Sequence, residues 1–454
     1  MELTFHGAAG TVTGSKHLIT LQDGVNILLD CGMFQGMGKD TARLNGEFGF
    51  DAKSVTFVLL SHAHIDHSGL LPKLIKEGFL GKIYCTAATA ELTEILLHDS
   101  AEIQTYETGH EPLYSHEEVK ETIAQFEIVD FDQIFFPQKN IKVCFTNNGH
   151  LIGSAAISII VTENGKDTSI LFSGDVGRYR SVLLQPPADP PQADYIILES
   201  TYGDKQHDIV SNNLETILYW IKKTCIEKQG KLIIPAFSVG RTQEVLFALN
   251  QLELEKRLPE LMYFIDSPLS QKATETIKRY PEHFNDRLQQ ILEIDDDPFL
   301  FNGLKYIEHV DDSRRLKDTD KPCVIISASG TADAGRVRHH ISECIGDEKH
   351  TILLVGYCGQ HSLGGQLLSG EKQIEIFNKE CTVLADIASI SGMSAHGDAE
   401  DLLQFISNQD PGKVKQIFLV HGESRIQKAF ATRLSSKGFK NIYLPSIHEK
   451  VELA

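Results

Sequence analysis

The sequence lacks any run of apolar residues approaching the roughly 20 that cross a membrane. Its first residues, Met-Glu-Leu-Thr-Phe-His-Gly, contain neither the basic start nor the apolar segment of a signal peptide. Low-complexity segments and fixed-period repeats are also missing. These absences argue against a membrane, secreted or repeat protein, and we expect a soluble, cytoplasmic chain with no membrane partner.

No Cys-x-x-Cys pair occurs, although the chain contains eight cysteines. They are scattered at Cys31, Cys85, Cys144, Cys225, Cys323, Cys344, Cys358 and Cys381. A chain of 454 residues can bury a core without a disulfide framework. The pattern therefore predicts reduced, mostly buried thiols of a cytosolic protein.

Positive charge is scarce, because 43 Lys and Arg residues stand against 62 Asp and Glu residues, a formal net charge of −19. A protein that coats nucleic acid along a long track needs a positive surface, so this class is disfavoured. A nuclease with a narrow cleft is still compatible with this charge. Bound metal ions can be the largest local charges in a site and can reverse its field.

The length exceeds one ordinary core and predicts two lobes. Short strand patterns dominate the first part, whereas helix and strand patterns alternate regularly later, as in Lys231–Ala236 and Thr242–Arg257. Such alternation indicates a parallel, doubly wound α/β unit. We therefore predict one lobe formed by residues 1–204 and 381–454, interrupted by a second lobe over residues 205–380.

The most specific motif is Ser61-His-Ala-His-Ile-Asp-His-Ser-Gly69, which follows a predicted strand. Alternate residues of an extended segment point the same way, so His62 and His64 can share one metal ion. Asp66 and His67 lie where a helix begins and can reach a second ion. Imidazole and carboxylate groups suit zinc, although manganese uses similar sites. The alternative is a chance cluster of surface histidines.

Four further polar residues directly follow predicted strands: Asp30, His150, Asp175 and His421. Polar side chains just after strand ends are where layered α/β folds gather their sites. Taken alone, His150 or His421 would be assigned to the surface or the core. Together with the 62–67 cluster they predict one shared metal site.

These residues resemble the metallo-β-lactamase superfamily, and further motifs resemble its β-CASP branch of nucleases, which includes RNA 3′-end-processing endonucleases. The β-CASP-like segments are Leu198–Gly203, Ser238–Glu244, Ser327–Gly330, Ser391–Asp398 and Val420–Glu423. The motifs run from residue 30 to residue 423 in the family's order. The resemblance implies an α/β protein with a four-layer αββα fold and an inserted α/β domain, the β-CASP domain, that caps the metal site.

The resemblance also implies roles for individual residues. One zinc ion would take His62, His64 and His150, a second would take Asp66, His67 and His421, and Asp175 would bridge the two, with a bridging hydroxide as nucleophile. Asp30 would orient the ligand loop, His396 would be the general acid, and Glu199 would orient His396. Independently of the family, a departing ribose oxygen needs a proton, and histidine has the side-chain pKa nearest neutrality. Glu199 could instead be an ordinary carboxylate at a strand end.

Substrate phosphates are expected to contact Ser329 and Gly330, at the end of a strand, and Arg241, at the start of a helix. Both segments could instead be plain strand-to-helix turns, and Arg241 could form an internal ion pair. His361, in a glycine-rich loop, is interpreted as a surface histidine.

The sequence thus predicts a hydrolase with two zinc ions, a ribonuclease that cleaves single-stranded RNA. We expect an endonuclease, with an exonuclease mode and a homodimer left open. One alternative is a DNA nuclease of the same superfamily, although the His-Gly-Glu context of His421 looks more like the RNA-cutting members. The other is a non-catalytic RNA-binding or scaffold homologue. Such a homologue would lack ligands, whereas all seven metal positions and His396 are present here.

Overall fold

The computed structural model describes residues 1–106, 111–207, 211–356, 358–359 and 362–453. His361 lies outside these residues. The chain divides into two compact units, a first unit of Met1–Gln206 with His396–Ala454 and a second unit of His207–Ala395. Within the described ranges, no helix combines the length and apolarity needed to cross a membrane. All eight cysteines are free thiols.

The strands of the described residues are β1 (Glu2–Phe5), β2 (His17–Thr20), β3 (Asn26–Leu29), β4 (Phe57–Leu59), β5 (Lys82–Cys85), β6 (Phe126–Ile128), β7 (Ile134–Gln138), β8 (Ile141–Asn147), β9 (Ala155–Glu163), β10 (Lys166–Phe172), β11 (Tyr195–Glu199), β12 (Lys231–Pro235), β13 (Met262–Ile265), β14 (Leu304–Tyr306), β15 (Cys323–Ser327), β16 (Thr351–Leu354), β17 (Gln373–Ile376), β18 (Lys379–Thr382), β19 (Asp386–Ser389), β20 (Gln416–Val420), β21 (Ile442–Tyr443) and β22 (Glu449–Glu452). The α-helices are α1 (Thr41–Gly46), α2 (Ile65–Ser68), α3 (Leu71–Lys76), α4 (Ala87–Tyr106), α5 (His116–Ala124), α6 (Ser211–Ile221), α7 (Arg241–Leu254), α8 (Pro268–Ile277), α9 (Asp286–Leu292), α10 (Val310–Arg315), α11 (Val337–Cys344), α12 (Leu363–Leu368), α13 (Ala399–Phe405) and α14 (Ser424–Ser436).

The first unit contains two seven-stranded sheets, in the orders β22-β1-β2-β3-β4-β5-β6 and β21-β20-β11-β10-β9-β8-β7. Side chains alternate between the two faces of each sheet, and both faces are buried. Ile27 on β3 and Ile197 on β11 join the core between the sheets. Leu28 packs on the other face, beside Leu74 of α3, and Leu198 packs beside Phe405 of α13. The layers therefore run helix, sheet, sheet, helix, which confirms the predicted fold class.

A tight turn between β9 and β10 follows directly from the sequence. Asn164 and Gly165 connect two antiparallel strands, with φ angles of 53° and 74°. Only glycine and asparagine adopt two successive positive φ angles readily, which is why Asn-Gly favours this turn. The dipeptide therefore accounts for the hairpin between β9 and β10.

The second unit contains a six-stranded sheet in the order β14-β13-β15-β12-β16-β19, and each neighbouring pair is parallel. This is the parallel α/β unit that the alternating pattern predicts. β19 pairs with β16, so the second compact unit extends to Ala395, whereas the sequence pattern places the domain boundary at residue 380, which stays a prediction. A pairing between strands distant in sequence leaves no local signal, so the pattern misses it.

Parallel pairing brings the candidate residues to the sheet edges. β3 and β4 are parallel, with Leu29 opposite Leu59, so Asp30 and the segment after β4 emerge side by side. In the other sheet, β10, β11 and β20 are parallel, with Glu199 opposite Val420. Each sheet therefore presents its polar residues at the carboxyl ends of its strands.

Replacing Phe405 with alanine tests this layered packing. Phe405 is fully buried, and we expect Phe405→Ala to lower the free energy of unfolding by about 3–5 kcal/mol, because it removes an aromatic ring and leaves a cavity. Phe136→Ala is the matched control, since Phe136 is 63% exposed on β7 and should change stability by less than about 0.5 kcal/mol. Urea unfolding followed by circular dichroism measures both, and equal losses would contradict the packing.

Candidate metal centre

Three histidines bring their ring nitrogens to one point in the first unit. His64 Nδ1 lies 3.1 Å from His62 Nε2 and 3.1 Å from His150 Nε2. Four tetrahedral ligands about 2.0–2.1 Å from a zinc ion lie about 3.3 Å from one another, so this spacing suits a shared ion. Burial lowers the pKa of His64 to about 4 and the pKa values of His62 and His150 well below the ordinary range. The rings are therefore neutral, which is the form that binds metal.

A second group consists of Asp66, His67 and His421. Asp66 and His67 lie in the short helix α2, as the sequence predicts, and His421 directly follows β20. His421 Nε2 lies 3.2 Å from Asp66 Oδ2, and His67 Nε2 lies 3.9 Å from the same oxygen. One donor atom from each of the three side chains falls within 4.8 Å of the others, so the three could hold one cation.

The carboxylate of Asp175 lies between the two groups. Its Oδ2 atom is 3.5 Å from His62 Nε2 and 3.6 Å from His150 Nε2, but also 3.3 Å from His67 Nε2. Its Oδ1 atom is 3.5 Å from His421 Nδ1. Burial raises the pKa of this carboxyl group, but the surrounding histidines outweigh that effect and hold the pKa well below its usual range. Asp175 is therefore a buried carboxylate in contact with both groups.

The donor atoms of this cluster fit a pair of metal ions. Asp175 Oδ1 and His67 Nε2 are buried and have no hydrogen-bond partner within the described part of the chain. Buried polar atoms without partners are costly, and a cation held by both would satisfy them. The mixture of imidazole nitrogen and carboxylate oxygen is a set that zinc prefers.

Asp30 fixes the orientation of two of these imidazoles. It follows β3 with a φ of 56° and accepts hydrogen bonds from Ser61 N (2.7 Å) and Ser61 Oγ (2.8 Å). His67 Nδ1 lies 2.6 Å from Asp30 Oδ2, which turns His67 Nε2 towards the metal cluster. Ser61 Oγ also lies 3.0 Å from His62 Nδ1, so one buried carboxylate orients both rings. Ser61 has no predicted role, although it stands inside the metal motif.

Glu199 connects the cluster to His396. It ends β11, is fully buried, and lies 3.3 Å through Oε1 from His396 Nδ1. Val176 N donates to the same oxygen (2.5 Å), and Thr201 Oγ1 donates to Oε2 (2.6 Å). Thr201 Oγ1 is also 3.0 Å from His421 Nδ1. Thr201 is a second positioning residue that the motif contains but that sequence reasoning misses.

His396 differs from His62, His64 and His150 in the direction in which its pKa is shifted. Burial lowers the pKa of His396, but the carboxylates of Glu199 and Asp175 have the larger effect and raise the pKa to about 9. His396 Nδ1 is 3.8 Å from Asp175 Oδ2, and the side chain is 18% exposed. The imidazole is thus protonated near neutral pH and lies beside the cluster, which is what a proton donor requires.

The predicted phosphate-contacting residues lie in the second unit. Arg241 is buried and forms an ion pair with Glu244 in the first turn of α7, which is the alternative that the sequence left open, and its phosphate contact stays a prediction. Ser329 Oγ lies 3.2 Å from Ala334 N, within its own turn. Gly330 is buried. Phosphate contacts by Ser329 and Gly330 stay predictions.

Asp30→Asn isolates the role of the orienting carboxylate. Asparagine tolerates positive φ, so the backbone should keep its conformation while the charge is lost. We expect zinc affinity to fall about 10- to 100-fold, because His67 is no longer held in the metal-binding orientation. Competition with a chromophoric chelator measures the affinity. Asp23→Asn, at an exposed position, is the control, and equal affinities of the two variants would refute the role.

Comparison with known proteins agrees with this geometry. Family models match residues 12–218 (metallo-beta-lactamase superfamily), 242–367 (Beta-Casp domain) and 380–445 (Zn-dependent metallo-hydrolase RNA specificity domain). Ribonuclease TTHA0252 of Thermus thermophilus is 34% identical over 438 residues, covering 96% of this chain and 97% of that protein. The RNase J-like protein of Methanocaldococcus jannaschii is 31% identical, covering 98% and 97%. The transcription termination factor FttA of Cenarchaeum symbiosum is 28% identical, covering 100% of this chain and 71% of that protein. This chain belongs to the β-CASP branch of the metallo-β-lactamase superfamily.

Proposed function

We propose that this chain is a zinc-dependent ribonuclease that hydrolyses phosphodiester bonds of single-stranded RNA as an endonuclease. The observation that supports the proposal is the convergence of seven candidate ligand side chains in one site, with His396 beside them, 3.8 Å from Asp175 and 3.3 Å from Glu199. The match to an RNA specificity domain over residues 380–445, which include His396 and His421, supports RNA as the substrate. We also place the enzyme in the cytoplasm, where free thiols such as its eight cysteines persist.

The ligand side chains divide between two zinc ions in this proposal. His62, His64 and His150 would hold one ion. Asp66, His67 and His421 would hold the other, and Asp175 would lie against both. When bound, the two ions neutralise charge on the phosphate and lower the pKa of the attacking water towards neutrality.

The proton for the leaving group comes from His396. As the water oxygen forms its new bond to phosphorus and gives up one proton to solvent, the bond from phosphorus to the ribose 3′ oxygen breaks, and that oxygen takes a proton from His396 Nε2. Glu199 faces Nδ1 and keeps the imidazole both oriented and protonated. The products are a 3′-hydroxyl and a 5′-phosphate.

Asp175→Ala should release both zinc ions together, because the carboxylate lies against histidines of both groups. Metal content after dialysis, read by plasma mass spectrometry, measures the loss. Asp167→Ala is the control, since Asp167 is exposed on β10, near Asp175 in sequence, and should keep both ions. Selective loss of one ion from Asp175→Ala would show that Asp175 serves a single site.

His396→Ala should keep its zinc but lose turnover by roughly 10²- to 10⁴-fold, because it removes the proton donor and not a ligand. The rate constant under single-turnover conditions and the zinc content, measured on the same preparation, separate these effects. His116→Ala is the control, a 44% exposed histidine of α5 in the same unit. An emptied metal site in His396→Ala would assign His396 to metal binding instead.

The direct test is cleavage of a 5′-labelled single-stranded RNA by zinc-loaded protein, beside DNA of the same sequence and the RNA duplex. Internal fragments with 3′-hydroxyl ends support the proposal, and release of single nucleotides changes the mode to an exonuclease. DNA cut as fast as RNA favours the alternative DNA nuclease. If protein with filled metal sites cleaves neither RNA nor DNA, the result favours a non-catalytic scaffold or an enzyme whose substrate is another phosphodiester.

A further inference from the structure

Phe237 is an exposed aromatic residue in an otherwise buried part of the second unit. Residues 231–239 are all described, and every one except Phe237 is buried. The ring of Phe237 is 38% exposed. A large apolar side chain held in solvent costs free energy, and the neighbouring residues show that the chain could have buried it. The face of the ring is therefore available to a ligand.

The ring stands at the carboxyl end of the sheet, above its middle strands. Phe237 follows β12, which lies between β15 and β16 in the sheet. A Cβ atom on Gly330, just after β15, would lie only 2.6 Å from Phe237 Cδ2. A Cβ atom on Gly356, just after β16, would lie 3.6 Å from Phe237 Cε2. Both neighbouring strands are thus followed within three residues by a glycine beside the ring, and at Gly330 a side chain would collide with it.

The backbone of Phe237 is also fixed before any ligand arrives. Its carbonyl oxygen accepts hydrogen bonds from Thr242 N (3.1 Å) and Thr242 Oγ1 (2.8 Å), at the start of α7. The ring therefore packs beside a glycine, and its own backbone is held in place by these hydrogen bonds. A rigid aromatic surface loses little conformational entropy when a ligand stacks on it.

We propose that Phe237 is a stacking platform for one base of the single-stranded RNA substrate, an inference that rests on the proposed function. Parallel α/β sheets bind ligands beyond the carboxyl ends of their strands, where Phe237 stands. Proteins that bind single strands stack bases on aromatic rings, and this contact tolerates any base because every base has a π face.

The surroundings of the ring favour a base over a protein partner. A protein interface covers a contiguous apolar patch, whereas Ser238, Ser329 and Gly330, described residues at this edge, are small or carry hydroxyl groups. Ser238 Oγ lies 3.3 Å from Ser267 Oγ, which follows β13, and Ser329 lies just after β15. One flat ring among small polar residues matches the area of one base.

The test compares RNA cleavage by Phe237→Ala, Phe237→Tyr and the full-length wild type. Loss of one stacked base should raise KM roughly 5- to 150-fold with kcat nearly unchanged, and Phe237→Tyr should restore the wild-type KM. Phe377→Ala is the matched control. Phe377 is 40% exposed in the same unit, but Arg338 and His339 already pack against its ring, so KM should stay the same.

A set of RNAs with one abasic nucleotide each separates stacking from a structural effect. The wild type should lose affinity at one abasic position, and Phe237→Ala should bind that RNA and the intact RNA equally. If the wild type cleaves RNA and Phe237→Ala has the same KM, this inference is overturned and the proposed function stands. If Phe237→Ala loses the same affinity for every abasic RNA, the inference is also overturned, in favour of a structural or protein-docking role. A zinc-loaded wild type that neither binds nor cleaves RNA overturns the proposed function, and this inference with it.

Discussion

The hydrogen bonds of the buried Asp30 carboxylate are the interaction on which the metal centre depends. Through Ser61 and His67, this one side chain sets the direction of two imidazoles that belong to different ligand groups. Such a carboxylate is stable in the interior only when donors surround it, and here three donors do so. The geometry is possible because β3 and β4 run in parallel and end together, which places Asp30 beside Ser61.

The electrostatics of the centre explain how an acidic chain can process a polyanion. The net charge of −19 disfavours phosphate binding over the surface as a whole. Inside the centre, however, burial keeps His62, His64 and His150 neutral. The neighbours that determine the pKa of Asp175 are mainly histidines. Metal ions bound in such a setting would dominate the local field and attract phosphate to the site.

Much of this arrangement follows from local sequence signals, and the remainder depends on contacts between distant segments. His62 and Asp66 share one short motif, whose spacing already indicates two metal positions. Ser61 and Thr201 are positioning residues that no spacing rule finds, because a hydroxyl group acquires its role only from its partners in space. The burial of Arg241 shows the same limit, since a helix start does not indicate whether its side chain is exposed or buried.

Zinc-edge anomalous diffraction from crystals of the zinc-loaded full chain tests the central claim most directly. The account predicts two peaks about 3.5–4 Å apart, one beside His62, His64 and His150 and one beside Asp66, His67 and His421, with Asp175 contacting both. A single peak, or a peak away from these side chains, would contradict the two-ion centre and the mechanism built on it.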